Sequence, residues 1–424
     1  MTMRYNHSVS LSVQAFTALA YRLAQDGQAD LFLSGSGRSD ETRCVIGFIP
    51  RSELIITDRT TRQDIKDYCF GTQEPTLGFI SYTYGLKLRG VKTTKTTDFP
   101  LGHLKQYGAV LEHDLSTGRG EIHGPDENAA RKLAALATAQ LDMPPLFASS
   151  PAKQVQQSLT QEAYESGVRK TLEAIRDGHT YQLNLSLKFS RTAKDMDMPG
   201  LAMDFWQRHP APFYAFFNSG THTILSTSPE RFLRVTDGEV LSQPIKGTLH
   251  FKQYTPELEH KVTSSAKESA ELSMIVDLVR NDISQNCEYG SVRVEGHKST
   301  FIVDNLVQMY SNVHGRLRED STVIDLLLDA FPGGSITGCP KRRSMELIET
   351  LEPHTRDVYC GSFVIIRGKR DMDSSIAIRT CWHDSRTDTF SFHAGSGIVV
   401  DSAPRKEYRE TMAKAHKFLA LGKS

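Results

Sequence analysis

Hydrophobic and polar positions along the chain follow two periods, one typical of helices and one typical of strands. Between residues 160 and 178 the apolar residues recur every three to four positions, which predicts a helix with Thr160 as its N-cap and Gly178 at its end. The same reasoning predicts a helix that spans 404–420, with Ser402 as its cap and Pro404 in its first turn. Further helices are predicted at 129–141, 262–281, 320–330 and 340–351.

Short runs rich in β-branched and aromatic residues predict strands on both sides of these helices. The runs are DLFLSG, ELIITD, TLGFISYTYG, YQLNLSLKFS, PFYAFFNS, TILSTS, EVLSQPIK, FVIIRG, SSIAIRT and TFSFHAGSGIVV. Strands and helices do not alternate regularly, which favours an α+β fold with large antiparallel or mixed sheets. The proline-containing segment 142–158 predicts a linker, and we place a boundary near residue 150, between regions 1–150 and 151–424.

Composition narrows the classes of partner. The 424 residues carry 50 Lys plus Arg and 50 Asp plus Glu, so no global field attracts nucleic acid or an acidic membrane, and any anion must be held by a local site. No apolar run approaches the roughly 20 residues of a membrane span, which makes a cytoplasmic protein the expectation. The six cysteines show no metal-type spacing and are expected to be reduced thiols.

Two pairs of glutamates repeat one spacing. Glu268 and Glu271 lie three residues apart in one predicted helix, and Glu407 and Glu410 do so in another, with Lys414 on the same side. This spacing places both carboxylates of a pair on one helix face. Such a face is either solvated or, where two pairs converge, able to bind a hard cation such as Mg²⁺, and the spacing alone leaves both interpretations open.

Two glycine-rich runs are candidate anion sites. In FPGGSITGCPKRRS a turn runs into a helix, where backbone N–H groups can approach an anion. A nucleotide-binding P-loop is excluded, because Cys339 and Pro340 separate Gly338 from Lys341. The run AGSGIVVDS at 394–402 is read as a second glycine-rich turn, for which a plain tight turn is the alternative.

The remaining candidates are single residues. Lys246 follows Ile245 in QPIKGT, where a buried ammonium without a partner would be costly. Glu230 lies in STSPERF, Tyr359 in VYCGS, and Arg379 in the strand-like run IAIRT, where it is a candidate clamp for a carboxylate.

Together these motifs resemble the chorismate-utilising enzymes, a family that includes the large subunits of anthranilate and aminodeoxychorismate synthases and the isochorismate and salicylate synthases. The matching runs occur in family order from about 160 to 424: YQLNLS, STSPERF, QPIKGT, ELSMIVDLVRND, FPGGSITGCPKRRSMELIETLEP, YCGS, IAIRT and AGSGIVVDS followed by EYRET. The resemblance implies two large β-sheets packed face to face, helices on the outside and an active site between the sheets.

The resemblance also implies roles for the candidate residues. Glu271 and Glu410 would bind Mg²⁺, assisted by Glu268 and Glu407, and the metal would grip the ring carboxylate of chorismate. The remaining substrate-binding candidates are Tyr359 and Arg379 for the enolpyruvyl carboxylate, with Gly395, Gly397, Lys414 and Thr248 completing the site.

Lys246 decides the branch within the family. Most branches carry a small residue at its place, whereas QPIKGT resembles the aminodeoxychorismate synthases of the p-aminobenzoate and folate pathway. The hypothesis is that the neutral amine adds to C2 of chorismate while the C4 hydroxyl leaves, with Glu230 as general acid. Ammonia then attacks C4 and expels the lysine.

Two further positions separate the branches. Isochorismate and salicylate synthases carry a water-activating lysine at the place of Gln182, and a glutamine cannot act as a base. Anthranilate synthases usually carry a histidine where this chain has Gln308, and Cys339 replaces the more usual alanine. The alternatives kept open are amination at C2, by an anthranilate or 2-amino-2-deoxyisochorismate synthase, and a catalytically silent chorismate-binding subunit.

The source of ammonia is also an expectation. The chain shows no glutaminase nucleophile signature, so a separate glutamine amidotransferase subunit is expected to deliver ammonia, and no fused lyase domain is expected after Ser424.

Overall fold

The computed structural model describes residues 5–35, 42–145, 147, 154–209, 211–251, 253–303 and 306–421, and of Thr248 and His250 only the backbone. The strands are β1 (Tyr5–Ser10), β2 (Ala29–Leu33), β3 (Arg43–Ile56), β4 (Thr76–Ile80), β5 (Gly102–Asp114), β6 (Arg119–Gly124), β7 (Gln156–Gln157), β8 (Gln182–Thr192), β9 (Phe213–Ser219), β10 (His222–Ser228), β11 (Arg231–Thr236), β12 (Glu239–Ser242), β13 (Ile245–His250), β14 (Arg293–Val303), β15 (Leu306–Arg316), β16 (Gly338–Cys339), β17 (Ser362–Gly368), β18 (Asp371–Ile376), β19 (Thr380–Asp384) and β20 (Thr389–Ile398). The helices are α1 (Val13–Gln25), α2 (Arg62–Phe70), α3 (Tyr82–Leu88), α4 (Glu127–Thr138), α5 (Gln161–Arg176), α6 (Met198–Arg208), α7 (Pro256–Thr263), α8 (Ala266–Ser284), α9 (Val323–Ala330), α10 (Lys341–Leu351) and α11 (Pro404–Leu419), with a 3-10 turn at Gly334–Ile336.

Within the described ranges, the twenty strands join one antiparallel hydrogen-bonded network. Its main path runs β8–β20–β19–β10–β9–β2–β3–β5–β4–β17–β18–β11–β12–β15–β14. The long strands β3 and β5 therefore connect its two halves.

The two halves of this network pack face to face. Phe79 of β4 contacts Phe217 of β9 with ring centroids 5.4 Å apart, although four pairings separate these strands along the path. Phe32 of β2 meets Phe363 of β17 in the same way, at 6.1 Å. Edge-to-face ring contacts of this kind fill the interior between the layers. The predicted α+β fold with two face-packed layers is confirmed, with the difference that β3 and β5 make the layers continuous.

Helices cover the outer side of each layer. Helices α1, α4, α5, α6 and α11 bury their apolar faces over one half of the network, and α2, α3, α8 and α9 do so over the other. The apolar stripe that predicted the helix after residue 160 is the buried face of α5, where Tyr164 and Val168 are fully buried. Thr160 caps this helix and Gly178 follows it with a φ of +77°, as predicted.

The two regions of the chain share the network. β2 pairs with β9, and β4 pairs with β17, so strands from before residue 150 lie between strands from after it. The predicted linker lies partly outside the described residues, and the boundary near 150 stays a prediction.

Three local predictions differ from the structure. The helix predicted at 262–281 is two helices, because α7 ends at Thr263 with Ser264 as its C-cap, and Ser265 accepts a hydrogen bond from N–H of Glu268 to cap α8. The run EVLSQPIK is divided into β12 and β13 at Pro244, which has no N–H to donate. The N-cap of α11 is Ala403 rather than Ser402, whose hydroxyl instead accepts from N–H of Val399 at 3.1 Å.

Two properties were expected from composition. In the part of the chain that the structure describes, no helix is long and apolar enough to cross a membrane. All six cysteines lie in this part and are free thiols, of which five are buried and Cys339 is half-buried.

Candidate active site

The side chain of Lys246 reaches from β13 toward β20. β13 pairs with β15 and carries a bulge between Lys246 and Thr248, at which Gly247 has a φ of +73°. Bulges of this kind redirect a side chain out of the regular alternation. A Cβ atom placed on Gly397 would lie 3.0 Å from Nζ of Lys246. The absence of a side chain at Gly397 therefore leaves the space that the amine occupies.

The four predicted glutamates, here called the carboxylate cluster (Glu268, Glu271, Glu407 and Glu410), lie on α8 and α11, and their charges act on one another. Burial raises the pKa of Glu271, the charge of Lys246 opposes this shift, and Glu268 and Glu410 add to it. Burial also raises the pKa of Glu407, and Glu410 adds to that shift. The structure thus brings together Lys246 and the two glutamate pairs, which lie more than a hundred residues from each other in sequence.

The carboxylate cluster has the donor chemistry of a magnesium site. Carboxylate oxygens are the protein ligands that Mg²⁺ prefers, and it keeps several waters and binds substrate oxygens in addition. Carboxylates that raise each other's pKa repel each other, and a divalent cation between them would offset this repulsion. In the described ranges no group of three or more His, Cys, Asp or Glu is already arranged to hold a metal ion, so a cation here would draw on few protein ligands.

Lys414 and Arg379 form the border of the site at α11. Nζ of Lys414 lies 2.7 Å from Oε1 of Glu410 and donates to the carbonyl of Gly395 at 3.2 Å, and its charge is the main cause that lowers the pKa of Glu410. The run IAIRT predicted Arg379 inside a strand. In the structure Arg379 lies between β18 and β19 and has a φ of +53°. Its guanidinium donates to the carbonyl of Lys414 at 2.9 Å.

Gly395 and Gly397 lie inside β20 and not in a turn, so the prediction of a second glycine-rich turn is wrong. Gly395 pairs with Ser186 of β8, and a Cβ atom at Gly395 would approach the carbonyl of Leu185 to 2.6 Å. These glycines therefore allow close approach of neighbouring groups within a sheet.

Glu230 occupies a buried position between β10 and β11. Its Oε1 accepts a hydrogen bond from the hydroxyl of Ser335 at 2.7 Å, and Ser335 belongs to the 3-10 turn of the glycine-rich motif. The STSPERF and GGSITG motifs thus meet in space. Ser335 was not among the predicted residues, although its place in a glycine-rich turn was a usable signal.

Tyr359 is buried against the ring of His393, parallel to it with centroids 5.0 Å apart. Burial raises the pKa of the tyrosine hydroxyl well above its usual value. Beneath it, Arg356 forms a fully buried ion pair with Glu352 at 2.7 Å. This support positions Tyr359 and was invisible in the motif YCGS.

Gln182 is a buried amide without a hydrogen-bond partner. Its side chain is fully buried at the start of β8, and neither Oε1 nor Nε2 finds a partner. Nε2 lies 3.4 Å from the Cβ position of Gly397, the point that Nζ of Lys246 also approaches. Buried amides are nearly always satisfied, so this one indicates a binding site for a small polar group.

The remaining candidates lie around this centre. The backbone of Thr248 pairs with Gln308 of β15, and the side chain of Thr248 lies outside the described part. Gln308 is buried. Cys339 pairs with Gln182 through β16 and β8, and its side chain lines a cavity of about 690 Å³ together with Tyr181 and Met274.

Comparison with known proteins agrees with this fold. Residues 28–420 match the model of the chorismate binding enzymes, and the chain belongs to that family. It is 38% identical over 278 residues to aminodeoxychorismate synthase component 1 of Klebsiella aerogenes, covering 62% of this chain and 58% of that protein. It is 37% identical over 262 residues to anthranilate synthase component 1 of Aquifex aeolicus, covering 61% and 52%.

The chain thus aligns with less than two thirds of the length of these relatives. Among solved structures, anthranilate synthase component I of Streptococcus pneumoniae has the same fold, with a TM-score of 0.78 at 24% identity over 89% of this chain and 92% of that one. The family and the fold are established, and the likeness extends to two branches that differ in product.

Proposed function

We propose that the chain aminates chorismate at C4 with ammonia to give 4-amino-4-deoxychorismate, through a covalent adduct on Lys246. The observation that carries the proposal is the position of this amine, which lies against Gly397 and next to the unpartnered amide of Gln182. A lysine at this point can act as a nucleophile beside the carboxylates and glycines of the site.

The reaction would proceed in two displacements. The amine of Lys246 forms a bond to C2, both ring double bonds shift by one position, and the C4–O bond breaks while Glu230 donates a proton to the leaving hydroxyl, which departs as water. Ammonia then forms a bond to C4, both double bonds shift back, and the C2–N bond breaks to release the lysine. The ammonium group formed at C4 then loses a proton to Glu230, which restores the enzyme.

Gln182 would favour ammonia over water as the second nucleophile. An amide cannot remove a proton from water, but its carbonyl oxygen can accept a hydrogen bond from ammonia, whose lone pair then stays free to attack C4. The unsatisfied amide atoms of Gln182 support this role.

Glu271 and Glu410 would hold Mg²⁺, with Glu268 and Glu407 beside them. The bound metal would neutralise the ring carboxylate of the substrate. Tyr359, Arg379 and Lys414 would bind the enolpyruvyl carboxylate, with the backbone of Gly395 and Gly397 close by.

A separate glutamine amidotransferase subunit would supply the ammonia, and the product would enter p-aminobenzoate and folate synthesis. The support is the name of the relatives, aminodeoxychorismate synthase component 1, which implies a second component. Amination at C2 is the second candidate, because an anthranilate synthase component 1 is almost equally similar.

Product analysis separates these candidates. The purified chain is incubated with chorismate, MgCl₂ and ammonium at mildly alkaline pH, and the products are identified by chromatography and mass spectrometry against standards. We expect 4-amino-4-deoxychorismate. Anthranilate or another C2-aminated product would contradict the proposal, and no turnover with a glutaminase partner present would indicate a silent binding subunit.

A further inference from the structure

The carboxylate cluster is already partly neutralised by three lysines. Nζ of Lys414 contacts Glu410 at 2.7 Å, Nζ of Lys267 lies 3.7 Å from Oε1 of Glu271, and the charge of Lys246 acts on both of these carboxyls. A divalent cation that enters between α8 and α11 therefore meets ammonium groups as well as carboxylates. At least one ammonium has to move away for the cation to bind tightly, because like charges at such distances repel.

Lys267 is the ammonium that is held most weakly. Its side chain is 46% exposed and its ion pair is long, whereas Lys414 is 31% exposed and also donates to the carbonyl of Gly395. Lys246 extends from a strand toward Gly397 inside the site. Lys267 lies in the first turn of α8, from which a long side chain can swing into solvent at little cost.

Lys267 nevertheless influences both helices of the site. It is one turn from Glu271 on α8, and its charge also acts on Glu407 and Glu410 of α11. The charge of this one exposed ammonium thus stabilises the ionised form of three carboxylates.

We propose that Lys267 is an internal counter-ion of the carboxylate cluster. Its ammonium pairs with the carboxylates in the metal-free protein and is displaced when Mg²⁺ binds. The inference rests on the magnesium site of the proposed function. It gives Lys267 a role opposite to that of a metal-site support: the residue lowers metal affinity and keeps α8 and α11 together until the metal arrives.

The sign of the effect on metal affinity tests the inference. Substrate-free protein is titrated with MgCl₂ in a calorimeter, and wild type is compared with Lys267→Met. We expect the dissociation constant for Mg²⁺ to fall by roughly three- to tenfold, the size expected when one exposed ammonium acts on two or three carboxylates. Lys267→Arg keeps the charge and is expected to bind Mg²⁺ like wild type.

Lys170→Met on the exposed face of α5 is the matched control, since it removes one positive charge away from the cluster and is expected to leave the affinity unchanged. An unchanged or weaker affinity in Lys267→Met would overturn the inference and make Lys267 a support for Glu271. If wild type binds no Mg²⁺ at millimolar concentration, both the inference and the metal assignment are wrong. The C4 product assay remains a separate test of the amination.

Discussion

Two charged clusters of this protein each combine carboxylates with lysines and differ in how completely these groups are satisfied. At the junction of β2, β5 and β9, Asp30 accepts from Lys105 at 3.0 Å, from Tyr107 at 2.7 Å and from N–H of Asn218 at 2.6 Å. In the carboxylate cluster the ion pair of Glu271 with Lys267 is 3.7 Å long, and burial together with the like charges of Glu268 and Glu410 raises the pKa of Glu271. The charges of the first cluster are satisfied within the protein, whereas those of the second are satisfied only in part.

This difference separates structural charges from functional ones. Buried ionic groups that satisfy each other hold elements in register, as Asp30 does for three strands. Groups that repel each other persist when binding compensates them. The buried and unpartnered amide of Gln182 is likewise left unsatisfied within the protein.

The largest expected effect is that of Lys246→Ala. If the amine is the nucleophile, C4 amination falls by about 10³-fold or more, and no protein adduct is trapped on acid quenching with chorismate, as intact-protein mass spectrometry would detect. Lys261→Ala, on the exposed side of α7, is the control and is expected to be fully active. Undiminished C4 amination by Lys246→Ala would leave the lysine only a positioning role.

Lys105→Met is expected to affect stability rather than chemistry. It leaves Asp30 buried without its ammonium, which costs about 3–5 kcal/mol of unfolding free energy, measured by urea denaturation. Turnover per folded molecule is expected to stay near the wild-type value. Lys170→Met is the surface control here also, and a loss of less than about 1 kcal/mol in Lys105→Met would break the contrast between the two clusters.

Glu271→Gln is expected to have the reverse pattern, with Mg²⁺ affinity lower by about 10- to 100-fold but a more stable metal-free protein. The folded-state pKa of Glu271 is raised, so its ionised form opposes folding at pH values above that pKa. The higher melting temperature of the variant should therefore be present at neutral pH and disappear below about pH 4, where the carboxyl is protonated in both states. A destabilised variant at pH 7 would contradict this interpretation.

The smallest effect is expected for Gly397→Ala. The added methyl group would lie 3.0 Å from Nζ of Lys246, the mobile end of a side chain, so the amine shifts by a few tenths of an ångström. Because nucleophile alignment is sensitive to such shifts, we expect kcat to fall by about tenfold while stability changes by less than about 1 kcal/mol. Gly368→Ala, where a methyl group meets no neighbour, is the control.

Local signals in the sequence predicted most elements and their functional motifs. The apolar period of α5 and its Thr160 cap were sufficient because both depend on residues within one or two turns. The prediction for α11 failed at its cap because Ser402 bonds to the preceding turn at Val399, a choice that periodicity does not reveal. Arg379 lies between strands for a similar reason, since its carbonyl accepts hydrogen bonds from Thr227 of a distant strand.

The site itself was predictable as a set of residues only through the family resemblance. Three features depend on residues that are far apart in sequence: the convergence of α8 and α11, the contact of Ser335 with Glu230, and the lack of a hydrogen-bond partner for Gln182. Lys267 was accessible to simpler reasoning, since it is four residues from Glu271 on one helix face.

The pairing of β2 with β9 and of β4 with β17 has a consequence for synthesis on the ribosome. Leu31 of β2 pairs with Phe216 of β9, which is translated nearly two hundred residues later. Ile80 of β4 pairs with Ser362 of β17, which is translated later still. The early strands β2 and β4 therefore emerge with unpaired edges, and the edge of β4 stays unpaired until most of the chain has been translated. Non-local pairing of this kind slows folding and leaves strand edges exposed to aggregation while the chain is incomplete.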